Sequence, residues 1–362
     1  VIIGEDAGKN QTTADNNVII GQGAGEQVTE GHTNTLIGSQ AGDALTTGDE
    51  NVAVGHGALD GTTTGNGNTA VGTDSMGKSN YNASYNTAVG YNAMLNATTA
   101  TGTTAIGTQA LDALTTGAQN TALGASALGA STTASYNTAV GASALVVNTT
   151  GAQNTAVGAF ALQSNTTGSP NTALGYDALG DNTTAAGNTA VGWASLSKTT
   201  TGYANTAVGQ SALTANTTGF SNVAFGHNTL DASTTGDNNT ALGKSALSSN
   251  TTADSNTAVG TSALFTNTTG AFNAAMGNDA LRTNSTGGSN IAIGVSALYA
   301  NTTASNNVAV GTNAMLGTTT GASNVAVGSS ALRTNTTGLE NTAIGLNALY
   351  SNTSANYNTA LG

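Results

Sequence analysis

Asn154-Thr155-Ala156-Val157-Gly158 returns seventeen residues later as Asn171-Thr172-Ala173-Leu174-Gly175, and stands seventeen residues earlier as Asn137-Thr138-Ala139-Val140-Gly141. A short fixed period of this kind builds a stack of small units, not a globule around one centre. With the Asn before each apolar pair as position one, repeats begin at Asn17, Asn34, Asn51 and Asn68, then, after one extra residue, at Asn86. The seventeen-residue step resumes at Thr103 and runs to Asn358. The added residue falls in Lys78–Tyr85 and predicts a bulge in a turn there. No linker or composition shift divides residues 1–362, which read as a single repetitive shaft with one irregular coil near 78–85. The chain opens at Val1-Ile2-Ile3-Gly4 and closes at Leu361-Gly362, both inside a repeat, and so reads as an excerpt of a longer protein.

The consensus is Asn-Thr-Ala-Val-Gly, two variable residues, Ala-Leu, two variable residues, Asn-Thr-Thr-Gly, two variable residues. Glycine and Asn-Thr-Thr-Gly in every period leave no stretch long enough for a stable helix. Positions two and four favour strand and share a face, while Ala at position three points the other way. Glycine at position five, as in Gly141, Gly158, Gly175, Gly192 and Gly209, marks a backbone that turns or is closely approached. Asn-Thr-Thr-Gly is turn chemistry. Two apolar segments close together and one polar arc suit a narrow β-roll, two strands to a coil, better than a three-sided β-helix. The expected fold is therefore all-β, a parallel β-solenoid of seventeen-residue coils.

Within such a coil Val140, Val157, Leu145 and Leu162 are expected to fill the interior, with Phe225 in the slot that Val157 occupies. Ala156, Gly158 and Ala161 would form a small, smooth outer face suited to contact with another chain. Asn137, Asn154, Asn171, Asn188 and Asn205 at position one would stack as an amide ladder. Asn148, Asn165 and Asn216 at position twelve would form a second ladder or a turn cap. In the first coils Gly8, Gly25 and Gly42 replace the later Leu, which predicts a change of girth. One Val and one Leu per coil is little burial against the ordering of seventeen residues. Association into a homotrimer about a common axis is the expected remedy, a monomeric solenoid with one exposed apolar face the alternative.

Composition narrows the function classes. The chain carries 18 acids against 6 cations, a formal net charge of −12, and no basic cluster, so nucleic acid and anionic lipid are poor partners. Without cysteine there is neither a disulfide nor a thiolate metal site. No apolar run approaches membrane-spanning length, and no membrane insertion is expected in this segment.

Asn-Thr-Ala-Val-Gly-x-x-Ala-Leu resembles the Asn-x-x-Ala-Ile-Gly-x-x-Ala signature of head repeats in YadA-like trimeric autotransporter adhesins. The form with Asn-Thr-Thr-Gly is also similar to repeats in tail-fibre-type proteins of phages and in surface proteins of environmental bacteria. The resemblance covers essentially the whole chain, though the period here is longer than in the adhesin heads. It implies left-handed parallel β-rolls, three chains to a fibre, outside the cell on a virion or bacterial surface.

No catalytic constellation, phosphate-cradling loop or carboxylate pair at recurrent spacing appears, so enzyme activity, cofactors and metals are not expected. Asp177, Lys198, Asp231, Asp237, Lys244, Asp279, Arg282, Arg333 and Glu340 sit at variable positions, as on a solvated surface. Glu30, in a Thr slot, departs from this. His32, His56 and His227 are also variable, and Glu5 with Asp6 makes a poor calcium site. Asn-Thr-Thr matches a glycosylation acceptor, a weak signal in a motif repeated for structural reasons. Tyr299 and Tyr350 either shield the coil below or touch glycans. The functional expectation is a fibre or adhesin shaft that presents, or contributes to, attachment to a cell-surface glycan or protein receptor. The alternatives are an ice- or crystal-binding solenoid using Thr pairs such as Thr166-Thr167, or the subunit of an extracellular filament or sheath.

Overall fold

A computed structural model describes residues 1–78 and 82–362. The chain divides into two compact units, Val1–Thr184 and Ala185–Gly362. Each is a parallel β-solenoid, and no helix occurs among the described residues. In the first unit Thr155–Val157 pairs in parallel with Thr138–Val140 on one side and Thr172–Leu174 on the other, with Ala156 opposite Ala139 and Ala173. In the second, Thr206–Val208 lies between Thr189–Val191 and Val223–Phe225 in the same register. The irregular coil keeps that register, since Thr69 pairs with Thr87, eighteen residues on. Of the segment expected to hold the bulge, residues 79–81 lie outside the described residues.

Each coil contributes a single strand, not the expected two, of three residues in every case after Ile2–Ile3. The Ala-Leu segment is built from consecutive turns instead. In the coil of Asn137 the Ala144 amide donates to Gly141 O at 3.3 Å and the Asn148 amide to Leu145 O at 3.1 Å. Ser143 and Leu145 are left-handed, with φ of 56° and 52°. A bulky side chain held there costs roughly 1–2 kcal/mol, offset by burying the Leu at about 1.5–3 kcal/mol. Amides in these turns donate between coils, Leu145 N to Ala161 O at 3.0 Å and Ser143 N to Ala125 O at 2.9 Å. The turns are thereby tied into the same stack as the strands.

The strand faces are opposite to those expected. Ala139 and Ala156 are completely buried, as are Leu145 and Leu162, whereas Val140 and Val157 are half-buried on the outer face. Phe225 is 55% exposed and is not core. Ala156 and Ala161, expected on a smooth outer face, are interior. The reason is the girth of the coil. One Leu already fills an interior this narrow, so the strand can turn only a methyl inward.

Two amide columns complete the interior. The Asn154 backbone amide donates to Asn137 Oδ1 at 2.9 Å, and Asn154 Nδ2 donates to Gly168 O at 2.9 Å. Asn171 repeats the first contact on Asn154, and Asn205 on Asn188, each at 2.9 Å. Each position-one side chain therefore satisfies the next coil and closes its own. At position twelve Asn165 Nδ2 donates to Asn148 Oδ1 at 2.9 Å. Gly158 is required at position five because a Cβ there would lie 2.4 Å from Gly175 O, with φ at +133°. Gly209 meets Gly226 O in the same way.

Candidate functional site: the outer face of the sheet

Positions two and four of every strand point away from the interior, so stacking the coils turns them into two parallel columns. In the second unit position four carries Val191, Val208, Phe225, Leu242, Val259, Met276, Ile293, Val310, Val327 and Ile344. Phe225 is 55% exposed, Met276 51% and Leu242 45%, and no side chain of the unit covers them. Position two beside it alternates between Thr and aliphatic residues, including Thr189, Thr206, Val223, Thr240, Thr257 and Ile291. The first unit shows the same pair of columns, with Ile106, Leu123 and Leu174 exposed at position four. An apolar strip this continuous is unusual for a surface that faces only water.

The flanking columns are polar and mostly self-satisfied. Position sixteen holds a ladder that the sequence reading missed, in which a side chain accepts from the backbone of the preceding coil. His32 N donates to Asp49 Oδ1 at 2.7 Å, Asp237 N to Asp254 Oδ1 at 2.8 Å, and Gly288 N to Ser305 Oγ at 3.0 Å. His32 Nδ1 also lies 2.7 Å from Asp15 Oδ1. The signal available was the enrichment of short acceptor side chains, Asp, Asn and Ser, at that position.

Position ten differs between the units. In the first it stacks Lys9, Glu26, Asp43 and Asp60 over successive coils. Lys9 Nζ lies 3.1 Å from Asp6 and 3.7 Å from Glu26. Its pKa is raised by the hydrogen bond and charge of Asp6, helped by Glu26. Burial raises the Asp43 carboxyl, with a smaller push from Glu26. Asp60 is raised to about 6 by burial first, then by the charges of Asp43 and Asp74. Asp112 is also raised by burial. The unit carries thirteen acids against two cations, the second unit five against four. In the second unit, from Phe265 onward, position ten becomes largely cationic and aromatic. The Arg282 guanidinium lies 5.6 Å from the Phe265 ring and 5.9 Å from Tyr299, and Arg333 donates to Tyr350 Oη at 2.6 Å. Tyr299 and Tyr350 thus pack against neighbouring coils.

The remaining sequence candidates stay apart. His56 approaches Asp74 at 3.9 Å, and among the described residues no three His, Cys, Asp or Glu side chains gather as a metal site. Asn148, Asn165 and Asn216 are completely buried, so the Asn-Thr-Thr acceptors are out of reach in the folded coil. No helix among the described residues is long and apolar enough to cross a membrane. No protein-family model matches the chain, and no curated protein matches it in sequence.

Proposed function

We propose that this chain is the shaft of an extracellular fibre or adhesin, a homotrimer of parallel solenoids that presents or contributes to attachment on a virion or cell surface. The observation that carries the reading is the uncovered apolar column at position four, one side chain per coil. A row with the spacing of the coils fits best against a surface with the same spacing, and a second copy of this chain supplies one. The strip extends through every coil of each unit, so its area grows with the coil count, and a stable protein contact typically buries about 800 Å² per partner. The trimeric order and the extracellular setting follow from the resemblance of the repeats. The variable positions outside the strip, where charges and rings collect, are then the surface left for weak multivalent contact with a glycan or protein receptor.

The test is the mass of the purified chain by light scattering, in the native sequence and in Phe225→Asp with Met276→Asp. Three chains in the native protein and one in the variant support the shaft. A native monomer refutes it.

A second reading draws on the same face. The position-two threonines Thr189, Thr206, Thr240 and Thr257 stand outward in register beside aliphatic neighbours, an ordered array of hydroxyls and methyls that could meet ice or another crystal. Thermal hysteresis from a monomeric protein would favour it.

A further inference from the structure

The position-twelve column of the second unit is interrupted three times, at Thr199, Ser233 and Thr318. At Thr199 the hydroxyl accepts directly from Asn216 Nδ2 at 3.4 Å, and the other two gaps differ. Where it is intact, the amide of one coil donates to the oxygen of the coil before. Asn267 Nδ2 donates to Asn250 Oδ1 at 3.0 Å and Asn284 Nδ2 to Asn267 Oδ1 at 2.7 Å. Each Nδ2 also donates to a carbonyl of its own turn, as Asn250 does to Ala253 O at 3.1 Å.

At Ser233 this relay fails on both sides. Asn216 Oδ1 and Ser233 Oγ are buried with no hydrogen-bond partner, and both residues are completely buried. Asn250, in the coil beyond, uses Nδ2 only toward Ala253 O, which leaves its second amide hydrogen free to donate. Thr318 repeats the pattern. Asn301 Oδ1 and Thr318 Oγ1 are buried without partners, and Asn335 Nδ2 donates only to Gly338 O, at 3.0 Å. In each gap the shorter side chain leaves out a carboxamide, and the groups that would have met it are an acceptor below, a hydroxyl beside and a donor above.

We infer that each of the gaps at Ser233 and Thr318 is a binding site for one buried water, which takes the place of the missing carboxamide in the relay. The water donates to Asn216 Oδ1, accepts from Asn250 Nδ2 and exchanges a third hydrogen bond with Ser233 Oγ. The second site uses Asn301, Asn335 and Thr318 in the same roles. Three protein partners is the usual number for an internal water, and a water's share of liquid volume is about 30 Å³. Without it, each gap would leave two buried polar groups unsatisfied, which native interiors generally avoid. The Ser131 gap of the first unit differs. Its neighbour on one side is Leu114, so only Ser131 Oγ and Asn148 Nδ2 face it and the acceptor is missing.

The test compares the full chain with Ser233→Asn, Thr318→Asn and the double variant, counting long-lived internal waters by oxygen-17 relaxation dispersion. Asn fits at both places, since neighbouring coils carry it, and circular dichroism checks that the coils persist. The count is expected to fall by one in each single variant and by two in the double. An unchanged count overturns the proposal. So does a high-resolution structure of the native chain in which Ser233 Oγ bonds directly to Asn216 Oδ1 with nothing between. Density within hydrogen-bonding reach of Asn216 Oδ1, Ser233 Oγ and Asn250 Nδ2 supports it.

Discussion

The opening coils of the first unit and its later coils each pack one large side chain between strand and turn, but not from the same place on the backbone. Around Asn17 and Asn34 the strand supplies it, as Ile19 and Leu36, and the turn supplies glycine, Gly25 and Gly42. Around Asn154 the strand supplies Ala156 and the turn Leu162. The path of the chain barely changes, since Gly25, Gly42 and Leu162 have φ of 52°, 60° and 51°. The expected change of girth is thus an exchange of contents. Position twelve changes too, with Val28 and Leu45 buried in the early coils and Asn165 in the later one. The first arrangement is oilier and leaves the left-handed turn unstrained. The second holds a Leu in that strained turn and adds an amide ladder. What specifies the coil is therefore the Asn column at position one and the glycine at five, and the interior needs only to be full.

The largest effect should come from emptying either interior. Leu36→Ala and Leu162→Ala are each expected to cost about 2–5 kcal/mol in urea denaturation. Equal costs would support the equivalence of the two arrangements, and a loss confined to Leu162 would break it.

Overfilling is the next test. A Cβ on Gly42 would lie 2.8 Å from Leu36 Cδ2, so Gly42→Leu alone should cost about 1–3 kcal/mol. Leu36→Ala combined with Gly42→Leu rebuilds the later arrangement and should recover most of the loss, a favourable coupling that a double-mutant cycle reads directly. If the costs simply add, the two interiors are not interchangeable.

The ladder comes third. Asn165→Leu leaves Asn148 Oδ1 without the donor it has at 2.9 Å, and Leu45→Asn buries an amide between Val28 and Thr62, where no carboxamide faces it. Each should cost about 1–3 kcal/mol in the same assay. A neutral Leu45→Asn would show that the early coils already tolerate the polar column.

Much of this was legible before any coordinates, and the errors have one physical source. Period, parallel register, the position-one ladder and the position-five glycine all depend on residues that cannot vary without breaking contact between coils. The inward face of the strand was misread because Val157 outranks Ala156 in hydrophobicity. Size variation was the better signal. Position three is Ala through most of the chain, while position four ranges over Val208, Phe225, Leu242 and Met276. A slot inside a uniform stack admits one size, and a slot outside admits many. The turn character of Ala-Leu was hidden because left-handed Leu is rare enough that strand was the natural reading. The position-sixteen caps were obscured by the variety of side chains that can accept one hydrogen bond.

The smallest effect concerns what lies over the two interiors. At position ten the early coils stack Glu26, Asp43 and Asp60, where the later ones carry Gln163 and Gly180. Asp60 titrates near 6 when folded, against an ordinary value of 3.8, because burial and then Asp43 and Asp74 disfavour its charge. The folded chain therefore holds this proton more tightly than the unfolded one. The resulting stabilisation is full below the ordinary carboxylate range and is lost as pH rises through about 6. The side chain is only partly buried, and the solvent it meets screens the effect, so a shift of a few degrees at most is expected. The native melting temperature should fall between acid and neutral pH, and Asp60→Asn should flatten that fall and melt higher at neutral pH. Gln163→Asp in the later coils, with no acid stacked on either side, should introduce a weaker dependence. If Asp60→Asn keeps the native slope, the early column is not where the pH sensitivity of these coils resides.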